Sequence, residues 1–285
     1  MPLPNPWHEL LESFTHVNQY DSWFPGRVNY LRDYTRWRNQ VRHGPNLPAT
    51  GPERLTVVLL SYRRVRNIEP MVNSLLRADF VGRVLVSNNN PAYRISDWVR
   101  VRDERLHLVD QSERRYAGIR FELARGEQGE YFASIDDDTF LSPEQLRQLF
   151  TMLVTDPSTP HGIQGELYKG RPGEPTNDDW RPGLVGERRV DAINRVYFFT
   201  REHLEELYRL AGLLGLNVPT LANGEDLLLS ACGRLRPRVH DVGPVAQCLS
   251  AHRLGVATWR TRQDFFQERT DLLLRLRQLK PLADS

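Results

Sequence analysis

The chain has 285 residues, enough for one α/β domain with an appendage, and its 38 basic and 36 acidic side chains give a formal net charge of +2. A balance so close to neutral argues against nucleic acid as the main partner. Two cysteines supply neither a disulfide framework nor a metal cluster. No apolar run reaches the roughly 18 residues of a membrane span, and the first residues lack the pattern of a secretory signal. We therefore expect a cytoplasmic, reducing location.

Residues 1–50 are predicted to form an N-terminal helical arm, and residues 51–285 the main domain. Apolar spacing within Trp7–Phe14 and within Val28–Val41 indicates short helices in the arm. The arm is also rich in tryptophan and tyrosine. One interpretation is that these aromatic side chains pack on the main domain. The other is that they are exposed and form a platform for an acceptor substrate or a homodimer contact, since exposed aromatic residues favour both of these roles.

From Leu55 the sequence alternates strands with helices, which predicts a mostly parallel sheet flanked by helices. Four strands are predicted from apolar runs, at Leu55–Ser61, Arg83–Ser87, Leu106–Val109 and Tyr131–Ile135. The intervening helices are predicted over Val65–Leu76 and Tyr116–Arg125. A third helix begins after Ser142, an N-cap residue followed by proline at the first helical position.

The second half of the domain is less regular. Residues 157–189 are rich in proline, glycine and charge, and they predict a loop over the edge of the sheet. Asp191–Thr200 is predicted to be a strand and Arg201–Leu214 a helix. Another helix starts at Glu225, and a last amphipathic helix is predicted over Thr261–Leu279.

Three consecutive carboxylates, Asp136, Asp137 and Asp138, follow the fourth predicted strand. In parallel sheets, ligands bind at the carboxyl ends of the strands. Carboxylates at the end of a buried strand are costly unless a positive charge neutralises them. In an extended chain Asp136 and Asp138 would point the same way and hold Mn²⁺ or Mg²⁺, with phosphate oxygens as further ligands. The alternative is an aspartate-rich turn that caps the next helix.

Glu225 and Asp226 form a second acidic group, at the start of a predicted helix after Gly224. Such carboxylates act as a general base or orient an acceptor, and the helix N-terminus stabilises their charge. Simple charge complementarity with the helix dipole is the alternative.

Polar residues that follow the first three predicted strands are candidates for binding a donor substrate that contains a diphosphate. Arg64 after the first strand and Arg120 after the third offer guanidinium groups to a diphosphate. Asn88 and Asn89 suit hydrogen bonds to a base or ribose, although turn formation also explains them.

Two candidates precede the last predicted helix. His252 either completes the metal site with the aspartates or has a structural role. Arg260 would reach the diphosphate from a C-terminal flap, in competition with several other arginines of that region.

These segments resemble the exostosin-type glycosyltransferases, family 64, within the wider GT-A superfamily. Ser61-Tyr-Arg-Arg64 looks like the family's T-Y-x-R, and Val84–Asn89 is similar to its V-V-W-N-N. Ser134–Ser142 looks like the metal-binding D-D-D-T segment, Asn223–Asp226 like the N-x-[DE]-D motif, and Trp259–Leu274 like the closing W-x-R and helix. The similarity covers residues 54–275.

The resemblance implies a GT-A fold and assigns roles by position. It places Ser61, Arg64, Asn88, Asn89 and Arg120 near the donor, Asp136 and Asp137 on the ribose or donor sugar, Asp138 on Mn²⁺, and Asp226 beside the anomeric carbon and acceptor. It also implies retention of anomeric configuration, whereas a Glu-Asp motif is typical of inverting family 2 enzymes too. Ser87 and Gly224 depart from the family's tryptophan and cysteine at these positions.

The sequence therefore predicts a metal-dependent glycosyltransferase that moves a hexose or N-acetylhexosamine from a nucleotide-diphosphate donor, UDP-linked by preference, to a saccharide or other small acceptor. A sugar nucleotidyltransferase would carry a glycine-rich loop after its first strand, and the stretch from Ser61 to Arg66 has no glycine. A non-catalytic nucleotide-sugar or carbohydrate-binding module is the alternative from a different class, and it predicts binding without turnover.

Overall fold

The computed structural model of the protein describes residues 24–170, 180–248 and 264–281. Its helices are α1 Phe24–His43, α2 Val65–Leu76, α3 Ile119–Gly126, α4 Pro143–Thr155, α5 Arg201–Leu214, α6 Glu225–Ser230 and α7 Phe265–Leu279. Its first strands are β1 Leu55–Ser61, β2 Val81–Asn88, β3 Leu106–Asp110, β4 Tyr131–Asp136, β5 Thr139–Phe140, β6 His161–Gly162 and β7 Gln164–Tyr168. They are followed by β8 Trp180–Leu184, β9 Arg188–Arg189, β10 Ala192–Asn194, β11 Val196–Thr200, β12 Arg238–Val239 and β13 Ala246–Gln247.

An eight-stranded sheet, in the order β3-β2-β1-β4-β11-β6-β12-β9, forms the centre of the fold. Its first four strands are parallel, and β11 then pairs with β4 in the antiparallel direction. Every residue of β1 is buried, because Val57 and Leu59 belong to the core on one face while Val58 and Leu60 belong to the core on the other. The predicted mostly parallel α/β sheet flanked by helices is confirmed.

The helices that cover the sheet follow local signals in the sequence. The boundaries of α2 and α5 are the predicted ones. Ser142 caps α4 as predicted, since its hydroxyl accepts a hydrogen bond from the Gln145 N–H while the Gln145 side chain accepts one from the Ser142 N–H. Among the helices of the described residues, none combines the length and apolarity that a bilayer span needs.

The prediction of a loop over residues 157–189 is wrong for the described part of that segment. It contains β6, β7, β8 and β9, and β7 lies between β10 and β8 in a second, antiparallel sheet. Gly165 occupies the middle of this sheet because a Cβ at that position would lie 2.4 Å from the Ala192 carbonyl oxygen. Local composition suggested a loop, whereas pairing with a strand more than 20 residues away formed the sheet.

The predicted strand Asp191–Thr200 is divided in two by Arg195. This residue has a φ of 64°, a left-handed conformation that is uncommon for residues other than glycine. The chain therefore leaves the small sheet at Asn194 and enters the large sheet at Val196. The Arg195 carbonyl accepts a hydrogen bond of 2.8 Å from the Asp136 N–H, so the irregular residue lies beside the aspartate triplet.

Helix α1 of the arm packs on the main domain. The Trp37 side chain is only 3% exposed, its Nε1–H donates to the Leu141 carbonyl at 2.8 Å, and its ring lies 4.8 Å from that of Phe140. A bridge between Leu47 and Ala78 fixes the segment that follows α1. Trp37 thus has the packing role that was one of the predictions for the arm aromatics. The homodimer contact stays a prediction. The predicted helix within Trp7–Phe14 lies outside the described residues.

Candidate active site

The aspartate triplet lies at the carboxyl end of β4. The strand ends at Asp136, and the chain turns through Asp137 and Asp138 before β5. We expected Asp136 and Asp138 to point the same way because they would do so in an extended chain. The extended conformation ends at Asp136, so Asp138 lies in the turn. As a result the three carboxylates meet two different arginines.

Arg64 contacts two of the three carboxylates. Its Nη1 lies 2.6 Å from Asp137 Oδ1 and 3.3 Å from Asp138 Oδ2. The turn is held further by the Tyr62 N–H, which donates to Asp137 Oδ2, and by the Asn67 amide, which donates to the Asp137 carbonyl at 2.7 Å. Arg64 therefore organises the acidic turn, in addition to any contact that it makes with a donor.

Arg120 contacts the remaining carboxylate from the opposite direction. Its Nη2 donates to Asp136 Oδ1 at 2.8 Å, and its guanidinium lies over the ring of Tyr197, 4.7 Å from the centroid. The side chain is 3% exposed, and its Nη1 has no hydrogen-bond partner among the described residues. An unsatisfied, buried guanidinium nitrogen is costly, so this atom is suited to a phosphate oxygen.

The charge balance of this group leaves one carboxylate in excess, since Arg64 and Arg120 face three aspartates. Burial raises the pKa of both Asp136 and Asp137, and the neighbouring aspartates add to the effect. The set fits a divalent cation, because hard carboxylate oxygens carry the excess charge and the Asp136 side chain is 30% exposed. No three His, Cys, Asp or Glu side chains of the described ranges are grouped to hold a metal unaided. A cation here would therefore take further ligands from a substrate.

The second acidic group is fixed by a glycine turn at the start of α6. Gly224 has a φ of 86°, and a Cβ there would lie 2.5 Å from the Leu272 Cδ2. The next two residues then project from the first turn of the helix. Asp226 is 5% exposed and accepts hydrogen bonds from both nitrogens of the Arg269 fork, each at 2.8 Å, and from the Asn194 amide at 3.1 Å.

Arg269 was not a predicted site residue, although the sequence holds a signal for it. On α7 it occupies one stripe with Leu272, Leu273 and Leu276, all of them buried. A guanidinium on an apolar helix stripe requires a buried acidic partner. Arg269 has two such partners, Asp226 and Glu166, the latter at 2.9 Å.

Glu225 differs from Asp226 despite being adjacent in sequence. It is half-buried, and burial together with the charge of Asp226 raises its pKa to about 7, against a lowering effect of Arg120. Tyr197, whose pKa burial raises well above its usual value, lies within the electrostatic reach of Asp136, Asp226 and Glu225. The fold thus brings the two acidic groups together around Arg120 and Tyr197.

The predicted donor-binding residues of β1 and β2 are buried. The Asn88 amide donates to the Tyr93 carbonyl and to Asp110, and Asn88 Oδ1 accepts from the Asn90 N–H. Asn89 accepts from the Ser87 hydroxyl and is 4% exposed. The turn alternative therefore explains the Asn88 side chain, and its contact with a nucleotide stays a prediction.

Ser61 is the last residue of β1, three residues before Arg64, and it is fully buried. Its carbonyl accepts from the Asn89 N–H at 2.7 Å, and its hydroxyl has no partner among the described residues. His252 and Arg260 lie outside the described residues. The last described residue before them, Cys248, donates from its N–H to the Asp138 carbonyl at 2.7 Å.

No protein-family model matches the sequence, and no curated protein matches it. Among solved structures, the chain is similar to residues 1–349 of TarS from S. aureus in complex with UDP-GlcNAc. The TM-score is 0.50 at 15% sequence identity, and the match covers 81% of this chain and 68% of that one. The fold is the GT-A fold of glycosyltransferases. The identity with TarS is too low to indicate more than the fold.

Two weaker GT-A similarities accompany this match. A second structure of TarS 1–349 has a TM-score of 0.44 at 14% identity, covering 78% of this chain and 70% of that one. GalNAc-T7 in complex with UDP, GalNAc and Mn²⁺ has a TM-score of 0.47 at 11% identity and covers 66% of this chain. The chain spans 41% of the length of GalNAc-T7.

Proposed function

We propose that the protein is a glycosyltransferase that moves a hexose or N-acetylhexosamine from a nucleotide-diphosphate donor, UDP-linked by preference, to a saccharide or other small acceptor. One observation carries the proposal. Arg120 hydrogen-bonds Asp136 while it acts electrostatically on Glu225. A buried guanidinium suited to a phosphate and a carboxyl group suited to proton transfer are therefore close together, which supports the proposal. The UDP-GlcNAc bound by TarS, on the same fold, supports the choice of donor.

The donor half of the proposed site consists of Arg64, Arg120 and the aspartate triplet. The free Nη1 of Arg120 is the donor group for a phosphate oxygen, and Asp136 and Asp138 are the ligands for Mn²⁺ or Mg²⁺. A cation bound there would stabilise the negative charge that develops on the departing diphosphate. The residues themselves contribute orientation, because Arg64 and Asn67 hold the turn that carries the metal ligands.

The acceptor half consists of Glu225 and Asp226. A group with a pKa of about 7 is well matched to proton transfer at neutral pH, so Glu225 is the residue that takes the proton of the acceptor hydroxyl. Asp226 accepts hydrogen bonds from Arg269 and Asn194, and it orients the acceptor beside the anomeric carbon.

Transfer could retain or invert the configuration at the anomeric carbon, and these are two forms of this proposal. Retention, which the resemblance to family 64 implies, is the first. Inversion is favoured by the environment of Glu225, because single displacement needs a base that is unprotonated near neutrality and accepts the proton. Proton NMR of the first product formed gives the anomeric configuration and decides between them.

The test combines donor binding with transfer. The protein is screened by thermal unfolding with UDP, GDP, TDP and CMP, each with Mn²⁺ and with EDTA. A nucleotide present at 100 times its dissociation constant stabilises the folded state by about 2.7 kcal/mol. Asp138→Asn is expected to lose the metal-dependent shift, whereas Asp226→Asn keeps it but loses transfer. Asp271→Asn, an exposed change on α7, is the matched control and retains both.

Two outcomes would count against the proposal. The absence of any metal-dependent shift, in protein that is folded, would make the triplet a structural turn. Undiminished transfer by the Asp226→Asn variant would remove Asp226 from the mechanism. If that variant is too unstable to assay because Arg269 loses its ion pair, Glu225→Gln supplies the second test of the acceptor half.

A further inference from the structure

A groove of about 1360 Å³ runs along α2, between α1 and the segment 91–100. Its described lining contains six arginines: Arg38, Arg42, Arg66, Arg77, Arg94 and Arg100. Two carboxylates, Glu69 and Asp97, belong to the same lining. Since the whole chain has a formal net charge of +2, this groove concentrates positive charge that the rest of the protein does not have.

Four of these arginines are exposed and available to a ligand: Arg38, Arg42, Arg94 and Arg100. Within the described part of the chain, none of the four forms an ion pair with a carboxylate. Guanidinium groups bind carboxylate and phosphate through two parallel hydrogen bonds. The groove therefore offers several binding positions for anions.

The walls of the groove are fixed before any ligand binds. The arm wall is anchored by Trp37, whose indole donates to the Leu141 carbonyl, and by Arg77, whose guanidinium donates to the Gly44 carbonyl. The opposite wall is joined to α2 where the Arg100 N–H donates to the Glu69 carboxylate at 2.6 Å. A site that is already formed loses less conformational entropy on binding than a mobile one.

The length of the groove indicates a chain rather than a single ion. Arg66 and Arg77 lie at the two ends of α2, and the helical rise of 1.5 Å per residue separates them by about 17 Å. A single phosphate or carboxylate cannot contact both ends. A ligand that uses the groove fully must carry several negative groups along its length.

The other lining residues select among polyanions. Single-stranded nucleic acid needs a series of free aromatic faces for its bases. In the described lining, Trp37 is 3% exposed, Arg66 lies over the Trp98 ring at 5.4 Å, and Tyr93 is half-buried, so such a series is not offered. A membrane surface does not fit a concave groove. Glu69, Asp97 and Asn73 supply hydrogen-bond acceptors, which suit the hydroxyl groups of a sugar.

We propose that this groove binds an acidic glycan, a sugar chain that carries carboxylate or phosphate groups. Its Arg66 end is two residues from Arg64, which contacts Asp137 and Asp138, so a glycan bound there extends away from the candidate active site. That this glycan is the acceptor, or an extension of it, rests on the proposed function. The binding itself does not.

The test is fluorescence anisotropy with the full chain and four labelled probes of similar length. These are an oligogalacturonate, a phosphorylated oligomannose, a neutral oligoglucan and a single-stranded oligonucleotide. The triple variant Arg38→Gln, Arg42→Gln, Arg94→Gln is compared with a control of equal charge change, Arg209→Gln, Arg234→Gln, Arg238→Gln. Loss of three charge-assisted hydrogen bonds should weaken acidic-glycan binding by roughly tenfold or more, and the control should leave it nearly unchanged.

The four probes distinguish carboxylate from phosphate groups, and they distinguish an acidic glycan from a neutral glycan and from nucleic acid. Preference for the galacturonate or the phosphate oligomer identifies the anion. Equal losses in both triple variants, binding of the neutral oligoglucan, or tighter binding of the oligonucleotide would each overturn the assignment. Circular dichroism checks folding, and the single variant Arg94→Gln replaces the triple one if that is unfolded.

Thermal shift with nucleotide separates this inference from the proposed function. The groove variant should keep the nucleotide shift while it loses glycan binding. A nucleotide shift with no binding of either acidic glycan would refute the groove assignment alone. Glycan binding with no nucleotide shift would refute only the transferase proposal.

Discussion

The buried carboxylates of the candidate site differ in how their charges are balanced. Asp226 receives two guanidinium hydrogen bonds and an amide hydrogen bond, while Glu225, the preceding residue, is left with burial and a like charge beside it. Adjacent residues in the sequence thus have different electrostatic surroundings, because Asp226 is paired with Arg269 whereas burial and the charge of Asp226 raise the pKa of Glu225. The pair therefore combines a side chain in a buried ion pair with a carboxyl group whose pKa is raised to about 7.

Replacing Glu225 by glutamine should stabilise the protein above neutral pH. The carboxyl ionises near pH 4.5 in the unfolded chain and near 7 in the folded one, so the folded state loses stability as pH rises between these values. The neutral amide avoids this loss. We expect Glu225→Gln to melt at a higher temperature than the wild type at pH 8, with the difference diminishing towards pH 5.

Thermal unfolding at both pH values measures this effect. Glu202→Gln, on the exposed face of α5, is the control and should show little dependence of the difference on pH. A Glu225→Gln variant that gains nothing at pH 8 would mean that Glu225 is already ionised below neutrality, and it would remove the argument for Glu225 as the base.

For single residues, the sequence predicted the acidic side chains of the candidate site well, but it predicted the side chains that contact them poorly. The aspartate triplet and the Glu-Asp pair are visible as runs of like charge at predicted strand and helix ends. Arg269 is one arginine among many until the apolar stripe of α7 is placed against Asp226. For Asn88 the sequence left donor binding and turn formation open, and the contacts of its side chain with Tyr93 and Asp110 support turn formation.

Helix α6 begins directly after a residue with a left-handed backbone conformation. Gly224 precedes it with a positive φ, in close contact with Leu272 of α7. A side chain at this position must displace Leu272 and also adopt a left-handed backbone, at a cost of roughly 1–2 kcal/mol for the backbone alone. The position of Glu225 and Asp226 follows from this turn.

We therefore expect Gly224→Ala to lower stability by at least about 1 kcal/mol and to reduce transfer more than nucleotide binding. Gly212→Ala is the matched control, because Gly212 lies inside α5 with open space around it, and alanine there should stabilise the helix by up to about 1 kcal/mol. Urea unfolding gives both values. Equal stability of the two variants would show that the turn tolerates a side chain.

The elements that the sequence predicted well are those with a local cause. Helix α5 begins at a capping box formed by Thr200 and His203 and buries one regular stripe, so its limits can be read from its own residues. Strands β7 and β8 are short and both contain glycine, and they form because β7 pairs with β10 and β8. A pairing between distant segments has no local signal, which is why the second sheet was missed.

For the whole molecule, Trp37 decides whether the arm and the main domain behave as one unit. Its ring is in the same core cluster as β1, α2 and α4. Trp37→Ala should cost about 3–5 kcal/mol, the range for removing a large buried aromatic side chain. Unfolding should remain a single transition if α1 is part of the cooperative unit.

Denaturant unfolding followed by both far-ultraviolet circular dichroism and fluorescence tests this expectation. Leu31→Ala, an exposed change on the same helix, is the control and should cost little. Two separate transitions in the wild type, or a negligible effect of Trp37→Ala, would mean that the arm is an independent appendage.

The antiparallel junction between β4 and β11 has a consequence for how the molecule could come apart. Strands β1 to β4, which precede this junction in sequence, carry the aspartate triplet, whereas β6 to β12 and α6, which follow it, carry Glu225 and Asp226. Each half of the chain thus contributes one acidic group, and neither half contains the whole arrangement. If the polypeptide were cut between α4 and β6, the proposed sugar transfer would be lost until the two fragments reassembled along β4 and β11, so that this activity would report directly on fragment complementation.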